Sequence, residues 1–376
     1  MTDTQISLID LVSDEARDLL SLSGSDLVQH IGWDVVRGVV YDVLTGRNLR
    51  DSTEMLTRRR LALLNASLVS LFLKGTNLSA NFVERLPDLA AVTLQQKRLR
   101  KAERWLAQWM LGLNDKAFQN VLRDKPEALD AYKERYIAVC REAIANCETE
   151  HGTLSGHLEL SSGAKAELNW TFFVYLLTAT GAQTLAIRGS EKSTYGKLFE
   201  RLVLGSLLYI LGFEMVSPEQ PDKLERVFWL SSRGEKRESD ATLLYEAGKG
   251  VRFDIGFIGQ GNPEISLDKV SRFEREMQLG HSQWYMATII LVDRIGRKSR
   301  IVRLAQEIGG TIIQMSMGYW PQQVAQVLHQ EIGFEHELLT MDESQIADYL
   351  KSRLQQVPLQ DFIQHLSCGS QWTKQP

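Results

Sequence analysis

Two aspartates flank a glycine-rich turn in the stretch from Ser239 to Arg275: Asp240 opens the apolar run Ala241–Tyr245, and Asp254 sits inside the run Val251–Ile258. Gly248-Lys249-Gly250 between them tolerates positive φ, and both runs are rich in β-branched and aromatic residues, so the pattern predicts a β-hairpin. Folding the chain at that turn brings Asp240 and Asp254 to the same end of adjacent strands. Two carboxylates there repel unless a cation lies between them, and clustered hard oxygen ligands suit Mg²⁺. Asp254 shares its strand face with Arg252 and Gly256. Downstream, Pro263 is preorganised for a first helical turn, Glu264 favours the positive end of that helix, and Lys269 follows about one and a half turns later. Lys269 is a candidate to orient or deprotonate a water near the metal. Glu264 competes with Asp240 as the acidic partner of Asp254, and the residues leave that choice open.

Upstream, Ser193–Phe213 (STYGKLFERLVLGSLLYILGF) reads as a helix buried on most sides, with Ser193 as a cap and Gly212 as a terminator. Glu200 is the one acid inside it. Among neighbours such as Gly196, Val203 and Leu204 it is costly without a cation or a donor, which marks it as a candidate site residue. The polar stretch Arg188–Ser193 before this helix predicts a loop that cradles a phosphate at the helix N-terminus, with Arg188 and Lys192 assisting; a plain capped helix start is the even alternative.

The elements that must position these groups follow in order. Val227–Ser231 is a first strand, the hairpin supplies two more, and Met286–Val292 is a strongly apolar, central strand. Ser299–Ile308 is a helix and Thr311–Met317 a further strand. From Gln322 onward the pattern is helical again. The fold class expected is α/β, a mixed central sheet flanked by helices, with an all-helical N-terminal region. His151–Gly163 (HGTLSGHLELSSG), rich in Gly and Ser, is the candidate boundary between a helical region 1–160 and a catalytic domain 161–376. Within the first, Leu61–Leu73 is a buried helix behind Arg58-Arg59-Arg60. Leu94–Leu113 is read as a basic helix carrying Lys97, Arg98, Arg100, Lys101 and Arg104 beside Trp105 and Trp109. Such basic faces contact phosphates in some proteins and are solvated in more of them.

With 376 residues, 44 % hydrophobic and 24 % charged, the chain is long enough for a sizeable core and ordinary for a globular protein. A net charge of −4 gives no global attraction to nucleic acid, so DNA contact must come from local basic clusters and metal. Cys140, Cys147 and Cys368 are odd in number and unrelated in spacing, as expected of reduced thiols in a cytoplasm. The histidines show no zinc spacing and there is no Walker sequence. The apolar stretches read as too short or too interrupted to span a bilayer.

A carboxylate at the start of one strand, an acid on the next and a nearby lysine resemble the PD-(D/E)XK nucleases, and the element order matches that core. The family's usual lysine position, two residues after the second acid, is Gly256 here, and Lys269 is the candidate that replaces it from the neighbouring helix. More narrowly, RGSEKSTYGKLFERLVLGSLLYILGF and VRFDIGFIGQGNPEISLDKVSRF resemble the CfrBI-type type II restriction endonucleases. That resemblance implies a homodimer making Mg²⁺-dependent double-strand cuts at a short palindrome, CCWWGG, after the first C, beside a cognate DNA methyltransferase. It also implies that Asp240 and Asp254 hold the metal against the scissile phosphate, with Glu200 completing or hydrogen-bonding the shell and Lys269 serving the attacking water. The rival readings are a structure-specific repair nuclease of the same fold and a non-catalytic DNA-binding protein.

Overall fold

A computed structural model describes residues 7–21, 31–121, 127–161, 165–217, 225–231, 239–257, 287–293 and 310–364, together with 26, 28 and 163. The chain divides into two compact units, Met1–Leu22 with Leu56–Lys192, and Ser23–Met55 with Ser193–Pro376. This division differs from the boundary expected near residue 160, because residues 23–55 belong to the second unit.

The first unit is helical, with helices that include Phe82–Leu94, Lys101–Met110 and Ala128–His151. Its core gathers Leu68, Phe72, Leu86, Trp105, Trp109 and Phe172. The expected basic helix Leu94–Leu113 is shortened to Lys101–Met110, because the helix Phe82–Leu94 ends where it was to begin and a turn separates the two. Arg100 stands at the N-cap of the second, where its N–H donates to Glu103 Oε2 at 2.9 Å. Glu103 also accepts from the Arg100 guanidinium, Nη2 at 2.8 Å, so this one carboxylate fixes the start of the helix and the chain does not run on from Leu94. The Gly/Ser-rich stretch His151–Gly163, the candidate boundary, contains the strand β1 (Gly156–Glu159), which pairs antiparallel with β2 (Lys165–Leu168) just beyond it.

The second unit is built on a six-stranded mixed sheet. Its strands are β3 (Glu214–Met215), β4 (Val227–Leu230), β5 (Ala241–Glu246), β6 (Lys249–Gly256), β7 (Ala287–Val292) and β8 (Gly310–Gln314), in spatial order equal to chain order. β4, β5 and β6 form an antiparallel meander, while β7 and β8 run parallel to β6. Every residue of β7 is buried, as a strand covered on both faces requires. The hairpin turn is Ala247-Gly248 with Gly248 at φ +81°, so Lys249 and Gly250 already belong to β6 rather than to the turn. The helices expected after Pro263 and over Ser299–Ile308 lie outside the described residues. Helices at Trp320–Ile332, Glu343–Leu354 and Asp361–Gln364 bear out the helical C-terminal pattern.

Trp170–Ile210 is one continuous helix of 41 residues. The predicted loop at Arg188–Ser193 is therefore absent, and no helix N-terminus exists at Ser193 to cradle a phosphate. Polar residues within a continuous helix mimic loop composition, and that misled the sequence reading. This helix and Leu49–Leu78 are also long and apolar enough to cross a membrane, contrary to expectation. Core helices of soluble proteins meet the same criterion, and these two bury Leu64, Leu68, Phe72, Phe172, Leu202 and Leu207.

In the second unit the long helix meets Phe362 at Gly205, where an added Cβ would lie 2.7 Å from the Phe362 ring. The same ring packs edge-on to Phe228 of β4 at 6.2 Å. A helix-propensity gain below about 1 kcal/mol cannot offset overpacking of about 1–3 kcal/mol. Gly205→Val should therefore lower the thermal midpoint, and adding Phe362→Leu should recover part of the loss, both read by calorimetry.

Far from Asp240, the turn end of the hairpin is closed by aromatic rings: Phe334 stacks on Phe213 at 4.9 Å and meets Tyr245 at 5.8 Å. His336 stacks on Phe334, accepts the Leu338 N–H at Nδ1 (3.2 Å) and faces Ile210 O from Nε2 at 3.3 Å. Burial pushes its pKa below the usual 6.5, with the Ile210 carbonyl and Glu337 opposing and Arg353 assisting. The unfolded chain therefore binds more protons than the folded one as pH falls from 6.5 toward the lowered value. Stability present above 6.5 is lost across that window. His336→Gln should flatten the thermal midpoint against pH below about 6.5, measured by unfolding at stepped pH.

Candidate metal site

The β5–β6 register sets the site. Ala241 pairs with Phe253 and Thr242 with Arg252, so the next residues outward on the two chains are Asp240 and Asp254, facing each other. Asp240 lies just before β5, and its Oδ2 accepts the Ile255 N–H at 2.9 Å. A strand N–H one step beyond the regular β5–β6 ladder needs an acceptor, and the Asp240 carboxylate supplies it in place of a backbone carbonyl. Beside it, Ser239 is buried and its hydroxyl lies 3.1 Å from that of Thr242, which fixes the chain entering the strand.

Asp254 is 9 % exposed, on an interior strand between β5 and β7, opposite Ile290. A carboxylate so placed is expensive unless charge or donors compensate it. Neither Asp240 nor Asp254 is without a partner. Each carboxylate offers about four lone-pair positions, and the Ile255 N–H takes one of those on Asp240. Mg²⁺ needs one or two carboxylates, its remaining positions going to water and phosphate oxygen, and the facing pair fits that requirement. Among the described residues no group of three potential metal ligands is assembled.

Glu200 is half-buried on the long helix and is not part of such a three-ligand set among the described residues. Its chain neighbour Arg201 donates Nη1 to Ser231 O, and the Ser231 N–H donates to Asp240 O at 3.1 Å, so this helical turn is tied to the strand end that holds Asp240. Gly256, where the nuclease pattern has its lysine, is buried in β6 opposite Val292. Glu264 and Lys269 lie outside the described residues. Arg188 is exposed on the long helix within the first unit, and Lys192 is the last residue of that unit.

Two residues escaped the sequence reading. Asp293 directly follows β7 at the same end of the sheet, and its Oδ2 accepts from Asn48 Nδ2, whose Oδ1 in turn accepts the Arg50 N–H at 2.8 Å. An acid closing the apolar run ATIILV was the available signal. Arg201 was the other, a cation inside an otherwise apolar helix.

The sequence profile of the CfrBI restriction endonucleases matches residues 33–300, a stretch that contains every candidate acid and Lys269. The chain belongs to the CfrBI restriction endonuclease family. It is also 39 % identical over 323 residues to the type II restriction enzyme CfrBI of Citrobacter freundii, covering 85 % of this chain and 88 % of that protein. No solved structure matches significantly. The family is one of site-specific deoxyribonucleases, so the facing aspartates are to be read against phosphodiester chemistry.

If a cation offsets the repulsion of this pair, its removal leaves two carboxylates facing each other. Mn²⁺ or Mg²⁺ should raise the thermal midpoint of the parental chain, and Asp254→Asn should abolish most of that rise, measured by scanning fluorimetry with and without metal.

Proposed function

We propose that this chain is a type II restriction endonuclease that hydrolyses both strands of DNA at a short palindrome, with Mg²⁺ as cofactor and 5′-phosphate ends as product. The observation that carries the reading is the Asp240–Asp254 pair at one end of a mixed sheet, in a chain that belongs to a family of restriction enzymes. The assignment to the PD-(D/E)XK fold is supported by the antiparallel meander followed by two parallel strands, with the acids at the hairpin's open end. CCWWGG is the site that the family resemblance suggests. Cutting a palindrome on both strands calls for two active centres, which favours a homodimer, and a cytoplasmic enzyme of this kind needs a cognate methyltransferase to protect host DNA.

Asp240 and Asp254 would hold the ion, and Glu200 would complete its shell or hydrogen-bond to it. Glu264 is the alternative acid. When bound, the metal supplies charge stabilisation at the phosphate and a more acidic water. The backbone N–H of Ile255, which donates to Asp240 Oδ2, would hold that carboxylate in place for the ion. Lys269 would orient the attacking water, take up or relay its proton, and offset charge growing on the phosphate. Exposed Arg188, with Lys192, would contact the DNA backbone.

The competing reading is a DNA-binding protein without cleavage, and Gly256 in the usual lysine position is what favours it. Plasmid digestion in Mg²⁺ separates the readings: discrete fragments are expected, a smear would indicate a structure-specific nuclease, and intact plasmid would favour the binder. Asp254→Ala should fold and bind specific DNA without cutting it. Lys269→Ala should lose on the order of a hundred- to ten-thousandfold in single-turnover rate.

A further inference from the structure

We propose that Arg201 is a positioning residue for the metal site, setting the place of Asp240 from outside the coordination sphere; the inference rests on the metal-site reading above. Arg201 is 8 % exposed in the second unit. Its Nε donates to Phe362 O at 2.9 Å and its Nη1 to Ser231 O. The Ser231 N–H donates to Asp240 O at 3.1 Å, and Asp240 Oδ2 accepts the Ile255 N–H at 2.9 Å, next to Asp254. One guanidinium thus joins three segments distant in sequence: the long helix, the end of β4 and the C-terminal turn at Asp361–Gln364.

Burying a guanidinium costs more than burying an apolar side chain of similar volume, so packing alone does not account for an arginine here. What an apolar residue cannot do is fix two carbonyls by a rigid planar fork. Ser231 closes β4 beside the residue that opens toward Asp254, so a small displacement of Ser231 moves the Asp240 backbone with it. Partners one bond removed from a metal ligand commonly change metal affinity by about ten- to a hundredfold when lost. The C-terminal turn, through the Phe362 carbonyl, is part of the same support.

The test uses full-length Arg201→Met, Arg201→Lys and Phe362→Ala chains. Phe362→Ala removes the ring packed on Gly205 and keeps the carbonyl that Arg201 binds. Mn²⁺ binding is measured by titration calorimetry without DNA, alongside unfolding and cleavage kinetics with kcat separated from KM. The expected result is Mn²⁺ affinity about ten- to a hundredfold weaker in Arg201→Met, with lower kcat and unchanged KM for DNA, and partial recovery in Arg201→Lys. Phe362→Ala should lose thermal stability while keeping parental Mn²⁺ affinity. A folded Arg201→Met chain with parental Mn²⁺ affinity overturns the proposal. Should Arg201→Met fail to fold, Ser231→Pro decides, because it deletes the N–H that reaches Asp240: weakened Mn²⁺ binding supports the proposal and parental binding overturns it. Parental Mn²⁺ binding in Asp254→Asn would instead remove the metal-site reading itself, whatever Arg201 does.

Discussion

The arrangement depends on one register: β5 pairs antiparallel with β6 with Ala241 opposite Phe253, which leaves Asp240 and Asp254 as the next residues outward on the two chains. Sheet register has a period of two, so a slip by one residue would send one carboxylate to the opposite face and dissolve the pair. The register is held at both ends. At the turn, Gly248 with positive φ closes the hairpin. At the open end, the Ile255 N–H holds the Asp240 carboxylate where a backbone carbonyl would otherwise stand. A fold that gives a ladder N–H to a side chain, and buries a second carboxylate near it, must compensate that buried carboxylate with charge or donors.

The two ends of the sheet divide the work. Phe213, Tyr245, Phe334 and His336 pack the turn end, where apolar burial and a neutral imidazole favour stability. The opposite end collects Asp240, Asp254 and, just after β7, Asp293. β7, buried along its whole length, lies against β6 in parallel register and gives Asp254 a rigid, dry support. Membership in the CfrBI restriction endonuclease family gives this polarity its meaning, because cutting a phosphodiester needs hard ligands held still beside a charged substrate.

Much of this was legible in the chain. The hairpin showed in two apolar runs around Gly248, β7 in the unbroken run ATIILV, and the end of the long helix in Gly212, which has φ +85° with the Phe213 N–H closing back on Leu208 O. What stayed hidden was nonlocal or masked by composition. Arg188–Ser193 reads as a loop because its residues are polar, yet the helix continues through it with those groups on its turns. β1 hid in the Gly/Ser-rich stretch that reads as a boundary, and its partner β2 lies just beyond it. Residues 23–55 join the second unit through contacts such as the Trp320 Nε1–Val43 O bond, which no local pattern announces. Arg201 was overlooked for the same reason, since its carbonyl partners come from Ser231 and Phe362.

The central claim is that Asp240 and Asp254 share one divalent ion. Anomalous diffraction at the manganese edge from Mn²⁺-soaked crystals of the full chain tests it directly. A single strong peak within coordination distance of both carboxylates, about 2.0–2.6 Å, is the result expected. Full-occupancy Mn²⁺ elsewhere in the chain with none between the two aspartates would contradict it.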